Sequence, residues 1–294
     1  MKAGYVGLVG LPNAGKSTLV NALIGEKISI VSRKPQTTRK RVLGIYSDDT
    51  TQAIFLDAPG LVKAEAGLNH FMQKELESVI NESDILIAVL NLDSYKIEPL
   101  LEIIEMCQKS GKPWMACLTK DDLSLIHRNE KLREVLQPLK VPIILTSAVR
   151  RPNELKELIL TPVVQMLPET KMPYYDDEIY TTQSEREILA EMVREQCFEY
   201  LHEELPYGVA VKTLEFKEED TIIRCLVEII VAKDNYVGMV VGQGGQTIKR
   251  IGASSRILAE KFFNKKIFLQ TQVKVRKDWT SDEKFMKEMG YVVG

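Results

Sequence analysis

The chain has 294 residues, room for two domains, and its 45% hydrophobic and 27% charged content is ordinary globular composition. No apolar run approaches the ~20 residues needed to cross a bilayer, and MKAGYVGLVG enters a strand pattern at once without a cleavage site, so no signal peptide is expected and the cytoplasm is the default location. The formal net charge of −2 is unevenly spread: residues 173–232 carry 5 Lys+Arg against 15 Asp+Glu, whereas residues 233–277 carry 10 against 2, a basic block suited to a phosphate backbone.

Taken in order, Val6 to Ile24 reads as a strand, a glycine-rich loop and the opening of a helix that ends at Gly25. Gly10, Gly15, Lys16 and Ser17 fill G-x-x-x-x-G-K-[ST]. In that pattern backbone N–H groups close around phosphates, the lysine reaches the outer phosphates and the hydroxyl binds magnesium. The expected nucleotide contacts here are Gly10, Asn13, Ala14, Gly15, Lys16, Ser17 and Thr18.

A polar, basic loop from Ser32 to Arg41 follows, with Thr37 and Thr38 placed where a switch loop could bring oxygen to the metal and the last phosphate. AIFLDAPG then ends a hydrophobic strand in D-x-x-G: Asp57 as a magnesium-side carboxylate and Gly60 as an N–H donor to the last phosphate. The metal set is therefore Ser17, Thr38 and Asp57 for Mg2+. Further strands at 85–93, 113–122 and 141–148, with helical segments such as 98–111 and the closing helix 153–167 between them, predict an α/β, doubly wound, mostly parallel sheet. Ligands of such sheets sit at the strands' carboxyl ends, where all of these motifs fall.

Two of those ends carry Thr119-Lys120-Asp121-Asp122 and Ser147-Ala148. Asp122 is suited to accept the ring N–H and exocyclic amine of guanine, Lys120 to lay its stem over the base, and the Ala148 N–H to meet the guanine carbonyl. With these five motifs in order, the chain resembles the translation-factor-related GTPases. Thr119 stands where that family more often has asparagine, so its shorter side chain is expected to weaken the tether between this loop and the phosphate loop, though not the guanine choice of Asp122. Leu61 occupies the place of the glutamine that orients water in many such switches. The resemblance implies that members with an asparagine at the position of Asn13 can bind K+ there, which makes Asn13 the candidate monovalent-cation ligand. The catalytic set is Lys16, Thr38, Gly60 and Asn13.

Residues 173–183 are aperiodic and rich in acids and tyrosines, and are read as a linker between domains at 1–172 and 184–294. A capping box at Ser184 to Glu187 opens a helix, two strand-like runs follow, and Gly242-Gln243-Gly244-Gly245 then joins a short helix to a longer one presenting Ile248, Ile251, Leu258 and Phe262 to a core. A basic strand closes the unit, and Thr280 to Glu283 is read as a second capping box before a short helix that stops at Gly290. This order resembles an α+β type II KH domain, whose G-x-x-G loop clamps about four nucleotides. That resemblance nominates Gly242, Gln243, Gly244, Gly245, Lys249, Arg250, Lys233, Lys274 and Arg276 for RNA.

Cys107, Cys117, Cys197 and Cys225 lack metal-ligand spacing and read as reduced core residues; His70, His127 and His202 sit on stretches of helical character with no nucleophile beside them. A GTPase domain followed by a KH domain, with PNAGKS, PQTTRKR, DAPGL and VVGQGG as they stand, is similar to the Era family of ribosome-assembly GTPases. The resemblance implies GTP-dependent binding near the 3′ end of 16S RNA of the small (30S) ribosomal subunit, hydrolysis of GTP as a maturation checkpoint, a monomeric state and peripheral association with the inner membrane. The residues alone leave two other readings open: an RNA-binding scaffold that holds nucleotide structurally, and a GTPase partner of an RNA-modifying enzyme.

Overall fold

Alternation along the central strands explains how one sheet carries two cores. In β1 (Lys2–Gly10) and β4 (Ile85–Asn91), Val6, Leu8, Ile85, Ile87 and Val89 face one side while Val9, Leu86, Ala88 and Leu90 face the other, and all are buried. Strands buried on both faces must be apolar throughout, and these are. In the computed structural model, residues 1–32, 34–123, 126–147 and 152–291 are described. The chain divides into two units, the first comprising residues 1–29, 38–64 and 72–182.

Its sheet runs in the order β2 (Val42–Ser47), β3 (Thr51–Asp57), β1, β4, β5 (Trp114–Thr119), β6 (Ile143–Leu145). Every pairing is parallel except β2 with β3, which form an antiparallel hairpin. On one face, α1 (Lys16–Ile24) and α5 (Pro152–Met166) contribute Leu19, Val20, Leu23, Ile159 and Val163. On the other, α2 (Gly67–Glu82) contributes Leu76 and Val79, α3 (Glu98–Lys109) Leu100 and Ile103, and α4 (Ile126–Leu136) Leu132 and Leu136. The phosphate-loop helix ends at Gly25 as expected, with φ at 87°.

The stretch at 173–183 is held against the first unit along much of its length. The Ile45 N–H of edge strand β2 donates to the Tyr180 carbonyl, the buried Gln52 side chain bonds backbone at Tyr174 and Tyr175, and the Tyr5 and Tyr174 rings lie 5.6 Å apart. The stretch is irregular chain held by one backbone bond, the Gln52 side chain and a ring contact, so it belongs to no regular element and has no side-chain period to read.

The second unit comprises residues 30–37, 65–71 and 183–294. Its sheet is β7 (Val209–Glu218), β8 (Ile222–Val231), β9 (Lys266–Val275), antiparallel then parallel, with a bulge between Thr213 and Glu215. Helices α6 (Glu185–Tyr200), α7 (Asp234–Val241) and α8 (Gln246–Phe263) bury Leu189, Val193, Val240, Ile251 and Ala259 in one core with Val227 and Ile229. The Ser184 capping box forms in full, which satisfies two end donors of α6 reciprocally. Within this unit Lys34 donates to the Phe198 and Leu201 carbonyls at the end of α6, and the Phe71 ring meets Tyr291 at 5.5 Å.

Two sequence expectations are corrected. The final helix, α9 (Glu283–Glu288), is capped by Asp282, whose carboxylate takes the Phe285 N–H; Thr280 lies in the preceding 3-10 turn and does not cap it. His202 lies beyond the end of α6, in irregular chain. All four cysteines are buried and free, and burial pushes the Cys107, Cys117 and Cys197 thiols up to about 12 and Cys225 to about 11.

Candidate functional site

The loop between β1 and α1 brings its polar atoms to the carboxyl edge of the sheet. Gly15 adopts φ 96° and Asn13 φ 63°, left-handed values that curl this loop ahead of α1. Lys16 is buried, its Nζ donating to the Gly10 and Leu11 carbonyls at 3.1 and 2.9 Å. Burial lowers its pKa from 10.5 to about 8, against the raising pull of Asp57. Asp57, at the end of β3, is fully buried, and neither carboxylate oxygen has a partner of good hydrogen-bond geometry among the described residues, although the Ser17 and Ser29 hydroxyls lie near it. Burial pushes its pKa up, opposed by the nearby Ser17 hydroxyl, the Lys16 charge and the Ser29 hydroxyl.

A buried carboxylate with two orphaned oxygens is costly unless something pairs with it. Close by, the Ser17 and Thr38 hydroxyls meet at 2.9 Å. Two hydroxyls and a carboxylate are an all-oxygen set of the kind Mg2+ takes, together with phosphate and water. These residues therefore fit magnesium. Thr37 is turned elsewhere, its hydroxyl donating to the Lys34 carbonyl at 2.8 Å.

Gly60 sits against the phosphate loop so closely that an added Cβ would lie 2.3 Å from the Pro12 nitrogen, and the next N–H, of Leu61, donates to the Gly10 carbonyl at 3.1 Å. The Leu61 side chain packs partly against the core, away from any water-orienting role a polar group would have.

At the ends of β5 and β6, Ser147 donates to Asp122 at 2.6 Å, which orients one carboxylate oxygen. The expectation about Thr119 is corrected in part: its shorter side chain keeps the tether, with Oγ1 donating to the Ala14 carbonyl at 2.7 Å in a buried contact. The reach suffices because Ala14 lies directly against the end of β5. Lys120 has φ 60° and its ammonium is held by Asp93 at 2.8 Å, while Asn91 donates to the other Asp93 oxygen at 2.6 Å. Sequence reasoning missed Asp93, although its place at the carboxyl end of β4 was visible. Ala148 lies outside the described residues.

In the second unit Gly242, Gly244 and Gly245 all have positive φ, at 73°, 58° and 77°. A Cβ on Gly242 would strike the Thr247 hydroxyl at 2.2 Å, whereas Gly244 and Gly245 face open space. The loop therefore offers bare backbone between α7 and α8. The nominated cations divide. Lys233 lies over the Tyr236 ring at 5.5 Å, Lys274 pairs with Glu228 at 3.8 Å, and Arg276 pairs with Asp282 at 2.6 Å. Lys249 and Arg250 are exposed on α8, with no carboxylate partner among the described residues.

A P-loop site with a guanine-type acceptor, carried on a mostly parallel sheet and followed by a G-x-x-G module, defines a P-loop GTPase with an attached KH domain. Family models agree, matching a 50S ribosome-binding GTPase over residues 5–120 and a KH domain over residues 204–280. The chain belongs to the GTPase Era family. It is 38% identical to GTPase Era of Syntrophus aciditrophicus over 99% of this chain and 95% of that one, and 36% identical to GTPase Era of Thermoanaerobacter pseudethanolicus over 99% and 97%. Among solved structures, a point variant of Aquifex aeolicus Era bound to GDP and aluminium fluoride superposes with a TM-score of 0.90, at 31% identity, over 99% of this chain and 100% of that one. Era in complex with MgGDPNP and nucleotides 1506–1542 of 16S ribosomal RNA gives a TM-score of 0.89 at 32% identity, covering 99% of each chain.

Proposed function

We propose that this GTPase binds GTP with Mg2+ and, in that state, engages the 3′ region of small-subunit ribosomal RNA through its KH domain during maturation of the subunit. The observation that carries the nucleotide half is the buried, unpartnered Asp57 beside Lys16 and the Ser17–Thr38 hydroxyl pair. The RNA half is supported by the solved relative with bound 16S RNA and by the open G-x-x-G backbone.

Ser17, Thr38 and Asp57 are the residues that would hold the metal, which supplies positive charge to the phosphates. Gly10, Asn13, Ala14, Gly15, Lys16, Ser17 and Thr18 cradle the phosphates, and the Gly60 N–H faces the last one. Asp122 accepts from guanine, fixed by Ser147, and Lys120, Thr119 and Ala148 complete the base site. Leu61 offers no side chain to orient water, so intrinsic hydrolysis is slow. Asn13 is the proposed K+ ligand; its side-chain carbonyl would hold the ion, which would supply positive charge near the phosphates. Turnover is then faster in potassium than in sodium, and equal rates in the two salts remove Asn13 from the mechanism.

For RNA, Gln243 and Gly244 clamp backbone, Lys249 and Arg250 attract it, and Lys233, Lys274 and Arg276 contribute after exchanging their present partners. The protein works as a monomer in the cytoplasm, with peripheral association at the inner membrane; no described helix is long and apolar enough to cross a membrane. The test is crosslinking to cellular RNA followed by sequencing, with GDP or a nonhydrolysable GTP analogue. Enrichment of the small-subunit 3′ region with the analogue is expected, and it disappears in Gly244→Asp. Enrichment of other RNAs, or equal yield in Gly244→Asp, overturns the reading.

A further inference from the structure

Beside the base site stands one acid that the proposed nucleotide contacts leave unused. Asp93 follows β4 in a turn closed by the Ser94 N–H, which donates to the Asn91 carbonyl at 3.3 Å. Asn91 lies opposite Thr119 in the parallel pairing of β4 with β5, and the Leu92 N–H donates to the Thr119 carbonyl at 3.0 Å. The turn that carries Asp93 is thereby bonded to the strand end that carries Lys120.

Both Asp93 oxygens are committed. One takes the amide of the buried Asn91 at 2.6 Å, and the other takes the Lys120 ammonium at 2.8 Å. Burial pushes the Asp93 pKa up, but the donors of Asn91 and Lys120 outweigh it and the net shift is downward, so the group is a carboxylate at neutral pH. Lys120 is in turn fixed at both ends. Its backbone adopts φ 60°, a left-handed value that is costly for a residue with a Cβ, and its ammonium is anchored by Asp93. Covering a base with a flexible four-carbon stem requires its rotamer freedom to be surrendered. Here the anchor restricts that freedom before any nucleotide arrives, which lowers the cost of binding.

We infer that Asp93, held by Asn91, is a positioning residue that stretches the Lys120 stem across the base site and lengthens the dwell of purine nucleotides. The inference rests on the guanine-site reading above and adds a residue outside it. Asp93 acts on the face of the ring, through Lys120, whereas Asp122 acts on its edge, so the two have separable signatures.

The test uses the full chain loaded with fluorescent GDP or IDP, whose base lacks the exocyclic amine, and follows release by stopped flow. Asp93→Asn is nearly isosteric, but whichever way its amide is turned, the NH2 end meets a donor, from Asn91 or from Lys120. It should speed release of GDP and IDP by the same factor, about three- to tenfold, the cost of ordering one long side chain. Asp93→Glu, which keeps a carboxylate for the ammonium, should recover most of that loss, and in a Lys120→Met background Asp93→Asn should add nothing. Circular dichroism of each variant certifies the fold. Acceleration confined to GDP puts the effect at the Asp122 edge, and full acceleration on top of Lys120→Met gives Asp93 a role independent of the lysine; either overturns the inference. Slower release from Asp93→Asn overturns it too, because the ion pair then competes with the base. Wild-type rates in Asp93→Asn, with GDP still held far longer than ADP, overturn the inference alone. Wild-type protein that holds ADP as long as GDP overturns the guanine-site reading and the inference with it.

Discussion

Lys16→Met should stabilise the nucleotide-free protein at pH 7 while destroying its grip on nucleotide. Moving a buried lysine from 10.5 to about 8 penalises the charged form by roughly 3 kcal/mol, at about 1.4 kcal/mol per pH unit. Methionine removes that charge at similar length, but leaves the Gly10 and Leu11 carbonyls without the ammonium that now donates to them. Losing those bonds costs about 1–2 kcal/mol. The net gain is therefore about 1–2 kcal/mol, or roughly 2–8 °C in melting temperature for a unit of this size. The sign follows from the direction of the shift. A base whose folded pKa is depressed carries its full penalty below pH 8, and the penalty fades as pH rises towards 10.5, where both states are neutral. The advantage of Lys16→Met should shrink from pH 8 upward and reverse near pH 10. Thermal melts of nucleotide-stripped protein at pH 7 to 10 read this directly. A variant that melts below wild type at pH 7, or a difference that is constant across the range, refutes the argument.

Thr119→Ala should cost about 1–2 kcal/mol in urea unfolding by stranding the buried Ala14 carbonyl, and should speed nucleotide release several-fold in a fluorescent-GDP chase; Thr119→Asn should restore both. Asp122→Asn should weaken GTP binding by about 30- to 1000-fold, the loss of about 2–4 kcal/mol of charge-assisted bonding. Affinity should return with xanthosine triphosphate, whose extra carbonyl accepts from the new amide, and titration calorimetry with both nucleotides decides it.

Much of the candidate nucleotide site was legible because the residues that compose it are close in sequence. Gly15, Lys16 and Ser17 lie on one turn, and Asp57 and Gly60 on another, each at the end of an apolar strand. What stayed hidden depends on distance through space. The bond from Thr119 to Ala14 spans 105 positions, and whether a threonine reaches is a matter of strand placement. The Asp93 contact with Lys120 joins the ends of two strands, and its carboxylate alone predicts nothing. The lysines and arginines of the second unit were equivalent on paper; only their partners separated Arg276, held by Asp282, from Lys249 and Arg250. The cap of α9 was misplaced because Thr280 and Asp282 are both good capping types, and the 3-10 turn at Trp279–Ser281 decided between them.

The approach of Gly60 to Pro12 changes how that glycine can be interrogated. The customary substitution to alanine is meant to disturb one N–H donor to phosphate, but here a methyl group would sit 2.3 Å from one backbone atom of the phosphate loop and 2.6 Å from another. It would act as a wedge, shifting the cradle for every phosphate at once and disturbing GDP as much as GTP. A defect in that variant therefore reports on the seam between two loops and says nothing of the hydrogen bond. Replacing the peptide N–H of Gly60 by an ester oxygen, which adds no bulk, is the substitution that separates the two.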